Sequence, residues 1–129
     1  MNKYVRGYSK DAGVDIVLTE HLIVRPGFQI VELPAQYTPG DNEVAFVVSR
    51  GATLKKGVFT CMWAIDTGYT GTISAAIYNA TNTTWVFDAG DRPFGVVNLQ
   101  LGKDRVDYEV TKKGELRGNK KFGSSGGIK

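Results

Sequence analysis

A carboxylate and an aromatic ring lie three positions apart in residues 65–71, a segment that contains two glycines. Gly68 can adopt the positive φ angle of a tight hairpin, so we expect Asp66 and Tyr69 to lie at the tip of a bend. A carboxylate there can act as a general base on water, and a ring can stack on a sugar or a base. The alternative is that Asp66 satisfies turn amides and Tyr69 covers apolar surface.

Two further segments carry groups of a similar kind. Asp15 follows Gly13 closely at the start of an apolar run, and residues 117–126 combine an arginine, a phenylalanine and two serines with several glycines. Amides and hydroxyls of such a loop can hold phosphate oxygens, and an aromatic ring can cap a planar base. A loose arm that closes over a nucleotide would explain why Phe122 stands alone among glycines.

The elements that must position these groups are predicted to be strands. Glycine and β-branched residues are frequent, turn-forming clusters separate short apolar runs, and no segment keeps a helical period. We therefore predict an all-β fold with jelly-roll-like connections. The predicted strands are 14–18, 27–33, 43–48, 57–63, 71–77, 84–87, 94–101 and 106–110, with one helical turn at 50–56.

Composition restricts the function classes. The 129 residues fit one domain, and a single cysteine and a single histidine exclude an intrachain disulfide and a Cys/His metal cage. The net charge is +3, and the stretch from Lys112 onward contains six lysine or arginine residues against one glutamate. Such a basic tail attracts phosphate. Without an apolar signal core or membrane-length run, we expect a cytoplasmic protein, in the host cytoplasm if it is viral.

In chain order, three motifs resemble those of the dUTPase family, the trimeric deoxyuridine triphosphate pyrophosphatases. They are Ala-Gly-x-Asp at 12–15, Ile-Asp-x-x-Tyr-x-Gly at 65–71 and Arg-Gly-x-x-x-Phe-Gly-Ser-Ser-Gly at 117–126. Arg50 with Lys56 and Gly57 is similar to the second family motif, and residues 90–92 to the fourth. The short stretch 57–66 resembles the archaeal and viral branch that is related to dCTP deaminases.

The resemblance implies a jelly-roll-like distorted barrel, the dUTPase-like β-clip, as a single domain over 1–129. Residues 1–116 would form the β body and 117–129 a flexible C-terminal arm. The chains would form a homotrimer with active sites at subunit interfaces. The implied reaction is Mg²⁺-dependent hydrolysis of dUTP to dUMP and pyrophosphate, with neither membrane association nor stable nucleic-acid binding.

The resemblance also implies roles for individual residues. Asp66 would activate the water that attacks the α-phosphorus, Asp15 would support the site, and Tyr69 would pack on the deoxyribose. Mg²⁺ would bind chiefly to the triphosphate, with a water bridge to Asp15. The remaining substrate-binding residues would be Arg50 and Arg92 in the body and Arg117, Phe122, Gly123, Ser124 and Ser125 in the arm.

Two of the motifs depart from the family pattern, at three positions. Gly51 and Ala52 replace the hydroxyl residues that usually follow the second-motif arginine, and Gly95 replaces the usual glutamine of the fourth motif. Each lost polar contact could cost roughly 2–4 kcal/mol of transition-state stabilisation. Ser49 and Thr53 are the nearest hydroxyls that could substitute. An alternative function is therefore a catalytically weakened nucleotide-binding or regulatory trimer.

The residues disfavour two further functions. A dCTP deaminase needs a glutamate base two positions before a Tyr-Asn pair, and here Ala76 precedes Tyr78 and Asn79. An oligonucleotide-binding barrel needs aromatic residues on one strand face. The aromatic residues considered for that role are scattered along the chain: Tyr4, Tyr8, Phe46, Trp63, Trp85 and Phe94.

Overall fold

The structure is a computed structural model that describes residues 4–102, 107–111, 114 and 116–120. Within these residues the chain forms ten strands and one short helix, which confirms the predicted all-β fold. The strands are β1 (Tyr4–Val5), β2 (Gly13–Ile16), β3 (Leu22–Val24), β4 (Gly27–Gln36), β5 (Glu43–Ser49), β6 (Val58–Thr60), β7 (Ala64–Ile65), β8 (Thr72–Asn79), β9 (Trp85–Phe87) and β10 (Phe94–Gln100). The helix is α1 (Gly51–Lys55).

The strands pair with partners that are distant in sequence. A five-stranded sheet has the order β1-β2-β10-β5-β7, a three-stranded sheet the order β4-β8-β6, and β3 pairs with β9. All of these pairings are antiparallel. Connections that cross between sheets in this way agree with the predicted jelly-roll-like arrangement.

The core lies between the sheets and follows the two-residue period of the strands. Along β8, Ile73, Ala75 and Ile77 are buried while the residues between them are more exposed. The largest fully buried apolar side chains come from several different strands: Ile16, Val24, Leu33, Val58, Ile73, Ile77 and Phe94. The rings of Phe87 and Phe94 lie 6.5 Å apart between centroids and join the two-stranded sheet to β10.

Several element boundaries differ from the sequence predictions. The short strands β1, β3 and β7 were not predicted, because two or three residues show no alternation of their own. The predicted strand at 106–110 is wrong for its described residues: 107–110 are exposed and lie outside any strand. Its apolar residues predicted a strand, but strand formation requires a partner edge, which these residues do not have in the described part of this chain.

Within the described residues, no helix has the length and apolar character needed to span a bilayer.

Asn79 is the main buried polar anchor at the end of β8. Its side-chain amide donates to the carbonyls of Val24 (3.3 Å) and Thr83 (2.8 Å), and its side-chain oxygen accepts from the amide and hydroxyl of Thr81. Asn79 is 1% exposed, so water cannot replace these bonds.

We expect Asn79→Ala to lower the free energy of unfolding by about 2–3 kcal/mol, because buried partners of the amide lose their hydrogen bonds. The matched control is Asn82→Ala, since Asn82 is exposed in the same turn and its replacement should change stability by less than about 0.5 kcal/mol. Urea titration of both variants measures the difference. Equal stabilities would contradict the anchoring role.

Tyr4 fastens the N-terminal strand to the body. Its hydroxyl donates to the carbonyl oxygen of Gln36 at 2.6 Å, and its ring meets Tyr37 edge-on. Burial, and secondly the neighbouring Tyr37, raise the pKa of Tyr4 to about 12 from its ordinary value of 10.0.

Because the folded state keeps this proton more tightly than the unfolded state, its contribution is fully present below pH 10 and is lost as pH rises towards 12. We therefore expect the wild-type protein to lose stability over this range more steeply than Tyr4→Phe, which has no phenol proton at this position. Denaturant unfolding at pH 9, 10 and 11 measures the two slopes. Identical slopes would show that Tyr4 does not contribute.

Candidate active site

Asp15 lies between two arginines, on the strand next to the central strand of the five-stranded sheet. Its Oδ2 atom is 3.3 Å from Nε of Arg50 and 3.5 Å from Nη1 of Arg92. The Asp15 side chain is only 16% exposed, whereas both arginines keep about a third or more of their surface in solvent. Two cations against one carboxylate leave one net positive charge at the surface, which suits an anionic ligand.

Main-chain carbonyls just before β10 hold Arg50 and Thr53 in place. The carbonyl oxygen of Pro93 accepts from the Arg50 amide at 3.0 Å and from the Thr53 hydroxyl at 2.7 Å. The carbonyl oxygen of Arg92 accepts from Nη1 of Arg50 at 3.1 Å. The segments around α1 and β10 are therefore fixed to each other beside Asp15. The sequence places Thr53 in the first turn of a short helix, but it does not show that the Thr53 hydroxyl binds the Pro93 carbonyl oxygen.

Two glycines allow β2 and β10 to approach closely beside this carboxylate. Gly95 pairs with Asp15, and an added Cβ at Gly95 would lie 2.8 Å from the carbonyl oxygen of Val14 and 3.4 Å from Oδ1 of Asp15. At Gly13 an added Cβ would lie 2.9 Å from the carbonyl oxygen of Val96. Both contacts are with main chain, which cannot move away cheaply. The glutamine expected from the family pattern therefore does not fit at position 95 without displacing β2.

Neither of the two hydroxyls that could substitute at the second motif is exposed to a ligand. Thr53 is 2% exposed and its hydroxyl donates to Pro93, while Oγ of Ser49 is buried without a hydrogen-bond partner among the described residues. Gly51 has open space where a side chain would begin. In this conformation neither Ser49 nor Thr53 replaces the missing hydroxyls.

Asp66 and Tyr69 lie on a tight turn after β7, as the glycine pattern predicted, but this turn is not the tip of a hairpin. β7 pairs with β5, whereas β8 pairs with β4 and β6, so the turn joins strands of two different sheets. The Tyr69 amide donates to the carbonyl oxygen of Asp66 at 3.0 Å, and Gly68 has a φ of 79°, which favours glycine. The Asp66 side chain is about half exposed. The carboxylate is therefore presented at the surface and does not cap the turn through any hydrogen bond found among the described residues.

Tyr69 is oriented by its own turn. Its hydroxyl donates to the carbonyl oxygen of Thr72 at 2.7 Å, and its ring lies directly over Gly71, where any side chain would collide with it. The ring also packs against the core cluster and is partly buried. Because the hydroxyl is hydrogen-bonded to Thr72, a ligand could contact Tyr69 only through the exposed part of its ring.

The turn at 39–43 supports the turn that carries Asp66. The Gly68 amide donates to the carbonyl oxygen of Pro39 at 3.2 Å, and the Thr67 hydroxyl donates to that of Glu43 at 2.5 Å. In the sequence, residues 38–42 are recognisable only as a separator between strands, because a turn-forming cluster does not reveal which later segment it will contact.

Arg117 directly contacts Asp66, the predicted general base. Its Nη2 atom lies 3.2 Å from Oδ2 of Asp66, and the amide of Thr70 donates to the carbonyl oxygen of Gly118 at 2.6 Å. Gly118 also forms a parallel bridge with Tyr69. Arg117 was predicted to hold outer phosphates, and the structure places it against the Asp66 carboxylate.

The structure thus divides the predicted residues into two groups within one chain. Asp15, Arg50 and Arg92 form one group, while Asp66, Tyr69 and Arg117 form the other. Asp15 is on β2 and Asp66 follows β7, three strand spacings apart across the sheet, which corresponds to roughly 14 Å before any offset along the strands. The two carboxylates therefore do not share one site within a single chain.

Four predicted residues, Phe122, Gly123, Ser124 and Ser125, lie outside the described residues.

The described carboxylates do not belong to a cluster of metal ligands. Among the residues that the structure describes, no three or more His, Cys, Asp or Glu side chains converge on one point. Asp15 and Asp66 are each paired with arginine. These residues suit a Mg²⁺ ion that is carried by phosphate oxygens and reached through water, rather than one held in a protein cage.

Comparisons with known proteins find similarity along nearly the whole chain. The dUTPase family model matches residues 2–126. The Pol polyprotein of caprine arthritis encephalitis virus (strain Cork) is 25% identical over 91% of this chain, but the chain spans only 11% of that polyprotein. A deoxyuridine 5'-triphosphate nucleotidohydrolase of Streptomyces griseus is 33% identical over 94% of this chain and 72% of the relative.

A solved structure extends the likeness to the whole fold. The dUTPase of Staphylococcus bacteriophage 80alpha, solved with dUPNHPP, matches with a TM-score of 0.70 and 20% identity, over 99% of this chain and 92% of the phage chain. At this identity the match establishes the fold.

The close approach at Gly95 gives a stability prediction. We expect Gly95→Gln to lower the free energy of unfolding by about 1–3 kcal/mol, because its Cβ must push the β2 main chain away. Gly102→Ala is the control, since an added Cβ there meets nothing within 4 Å. Thermal or urea unfolding of both variants measures the effect. If Gly95→Gln were as stable as wild type, the close approach would not constrain position 95.

Proposed function

Because the chain belongs to the dUTPase family, we propose that it hydrolyses dUTP to dUMP and pyrophosphate in the presence of Mg²⁺. The observation that carries the proposal is the half-exposed Asp66 carboxylate on the same tight turn as Tyr69, within the segment that matches the family motif. The name of the Streptomyces griseus relative and the dUPNHPP in the phage structure support dUTP as the substrate.

In this proposal Asp66 accepts a proton from the water that attacks the α-phosphorus. A carboxylate that is half in solvent and fixed on a tight turn can orient a water and take its proton as the new P–O bond forms. The bond to the β-phosphate oxygen breaks, and pyrophosphate leaves. Positioning and charge neutralisation supply most of the catalysis of such a displacement.

Tyr69 would select the sugar. Its ring is held by the hydrogen bond to Thr72 and by packing over Gly71, so it offers a fixed apolar surface to the deoxyribose. A ribose 2′-hydroxyl placed against that surface would lose its hydrogen bonds to water without gaining a partner. This predicts a preference for dUTP over UTP.

The group of Asp15, Arg50 and Arg92 would receive the phosphates. Its one net positive charge lies at the surface, and the two guanidinium groups can donate to phosphate oxygens while Asp15 keeps them oriented. Mg²⁺, when bound to the triphosphate, would neutralise further charge on the phosphate oxygens. In the arm, Phe122 would stack on the base, and Gly123, Ser124 and Ser125 would contact outer phosphates.

A complete site would need more than one chain. Within one chain Asp66 and Asp15 lie three strand spacings apart, roughly 14 Å, so they cannot both act at one phosphorus atom. We therefore propose a homotrimer in which the Asp66 group of one chain faces the Asp15 group of another. The separation of the two groups supports an interface site, and the family resemblance suggests the trimer.

A catalytically weakened nucleotide-binding trimer remains the alternative. The observation that favours it is that the Thr53 hydroxyl donates to Pro93 and Oγ of Ser49 is buried, which leaves Gly51 and Ala52 without replacement hydroxyls. A dCTP deaminase is opposed by Ala76, which cannot act as a base.

The test is pyrophosphate release from dUTP, dCTP, dTTP and UTP with Mg²⁺. We expect turnover of dUTP in preference to UTP, and a loss of about 10²- to 10⁴-fold in Asp66→Asn, since amides cannot act as the base. Asp107→Asn is the matched control because Asp107 is an exposed carboxylate outside both groups.

Equal rates for the wild-type protein and Asp66→Asn would end the enzyme proposal. Binding of dUTP without turnover would favour the weakened trimer instead. Ammonia release from dCTP would favour deamination.

A further inference from the structure

We propose that the Thr53 hydroxyl positions the two phosphate-binding arginines, Arg50 and Arg92, and thereby sets the affinity of the site for a polyphosphate chain. The inference rests on the proposed function, because the polyphosphate concerned is the triphosphate of dUTP. Thr53 is 2% exposed and cannot itself touch a ligand. It is therefore a positioning residue that acts through the arginines.

The ion pairs with Asp15 do not fix the two guanidinium groups by themselves. The carboxylate lies 3.3 Å from Nε of Arg50 and 3.5 Å from Nη1 of Arg92, longer than the roughly 2.7–2.9 Å of a strong charge-assisted hydrogen bond. Both arginines keep about a third or more of their surface in solvent, where such pairs contribute little. Their orientation therefore depends on how the main chain at positions 50 and 92 is held.

Thr53 attaches the helix that begins beside Arg50. Arg50 is the N-cap residue of α1, which has five residues and no side-chain hydrogen bond at its cap. A helix this short is not stable by itself, so it depends on contacts with the rest of the domain. Within α1, which the structure describes completely, Thr53 is the one buried residue. The position of Arg50 therefore depends on this side chain.

The Thr53 hydroxyl joins α1 to the segment that carries Arg92. It donates to the carbonyl oxygen of Pro93 at 2.7 Å, and the same oxygen accepts from the Arg50 amide at 3.0 Å. A further bond runs from Nη1 of Arg50 to the carbonyl oxygen of Arg92 at 3.1 Å. One hydroxyl thus sets the spacing between the two main-chain segments whose side chains meet at Asp15.

The segment that carries Arg92 is anchored from its other side as well. The Leu18 amide donates to the carbonyl oxygen of Asp91 at 2.9 Å, and the Gly90 amide donates to that of Leu18 at 2.8 Å. Because this segment stays fixed, loss of the threonine hydroxyl would displace α1, the element with the weaker attachment.

The first test measures the binding of inorganic tripolyphosphate by calorimetry, using the full chain with Thr53→Val or Thr53→Ser. Valine keeps a branched side chain and removes the hydroxyl, so we expect affinity to fall roughly three- to tenfold. The Pro93 oxygen still accepts from the Arg50 amide, so valine leaves no carbonyl unpaired. Serine keeps the hydroxyl and removes a buried methyl group, so we expect it to lose stability in urea but to retain the affinity of wild type within about twofold.

Thr84→Val is the matched control, because Thr84 is exposed between β8 and β9 and lies outside the arginine group. This variant should bind tripolyphosphate as the wild type does. Wild-type affinity in Thr53→Val would overturn the inference. An equal loss of affinity in Thr53→Ser would also overturn it, because the effect would then come from packing.

A double-mutant cycle shows whether Thr53 acts through Arg50. We expect Thr53→Val to cost less affinity for tripolyphosphate in an Arg50→Ala background than in the wild type, because the group that it positions is absent there. Additive losses would overturn the inference. Thr53→Ala, which also lacks the hydroxyl, replaces Thr53→Val in both tests if the valine variant does not fold.

Steady-state hydrolysis of dUTP with Mg²⁺ separates positioning from a merely structural role. Contacts that hold the phosphates equally in the ground state and the transition state change KM and not kcat. We therefore expect Thr53→Val to raise KM roughly three- to tenfold with kcat within about twofold of wild type. A loss of folded enzyme would instead lower the apparent kcat and leave KM unchanged, and that result would overturn the inference.

Failure of this inference and failure of the proposed function give different results. If the wild-type protein binds tripolyphosphate but releases no pyrophosphate from dUTP, the proposed function fails, and the binding comparison still decides the role of Thr53. If the wild-type protein does not bind tripolyphosphate, the inference is overturned, whatever the protein does with dUTP.

Discussion

The antiparallel pairing of β10 with both β2 and β5 is the constraint on which the rest of this structure depends. Gly95 faces Asp15 on one side and Val48 on the other, so one strand fixes the positions of a carboxylate and of the arginine that follows β5. The same strand begins beside Arg92 and Pro93, whose carbonyl oxygens hold Arg50 and Thr53. A shift of β10 by one residue would reverse the facing of its side chains and separate all of these groups.

This constraint accounts for one of the departures from the family pattern, the glycine at position 95. At Gly95 the side chain is absent because two main chains approach closely there, and the Asp15 carboxylate occupies the neighbouring space. At Gly51 the situation differs, since the space for a side chain is open. The packing of the sheet therefore requires a glycine at position 95. At position 51 nothing in the packing requires a glycine, so the hydroxyl of the family pattern is simply missing at the start of α1.

The group of Asp66, Tyr69 and Arg117 depends on a different support, the turn at 39–43. That turn accepts hydrogen bonds from Thr67, Gly68 and Leu101, so it holds the turn at 66–69 and the end of the last strand together. The ion pair between Arg117 and Asp66 then joins residues 116–120 to the turn at 66–69. A half-exposed ion pair contributes little stability by itself. Two further contacts join residues 116–120 to the turn at 66–69. The Thr70 amide donates to the Gly118 carbonyl oxygen, and the Leu116 side chain packs against Gly68.

The all-β class, the turn at Gly68 and the residue types of both groups were predictable from the sequence, because these depend on local periodicity, on backbone freedom and on motif spacing. The predictions missed β1, β3 and β7 and included a strand at 106–110 that its described residues do not form and a hairpin around Gly68 whose strands do not pair. The three-dimensional fold was needed to show that Asp15 and Asp66 lie in separate groups, that Gly95 cannot carry a side chain cheaply, and that Arg117 contacts Asp66. Each of these facts follows from which strands pair across long sequence separations, and local sequence does not encode that pairing in a readable form.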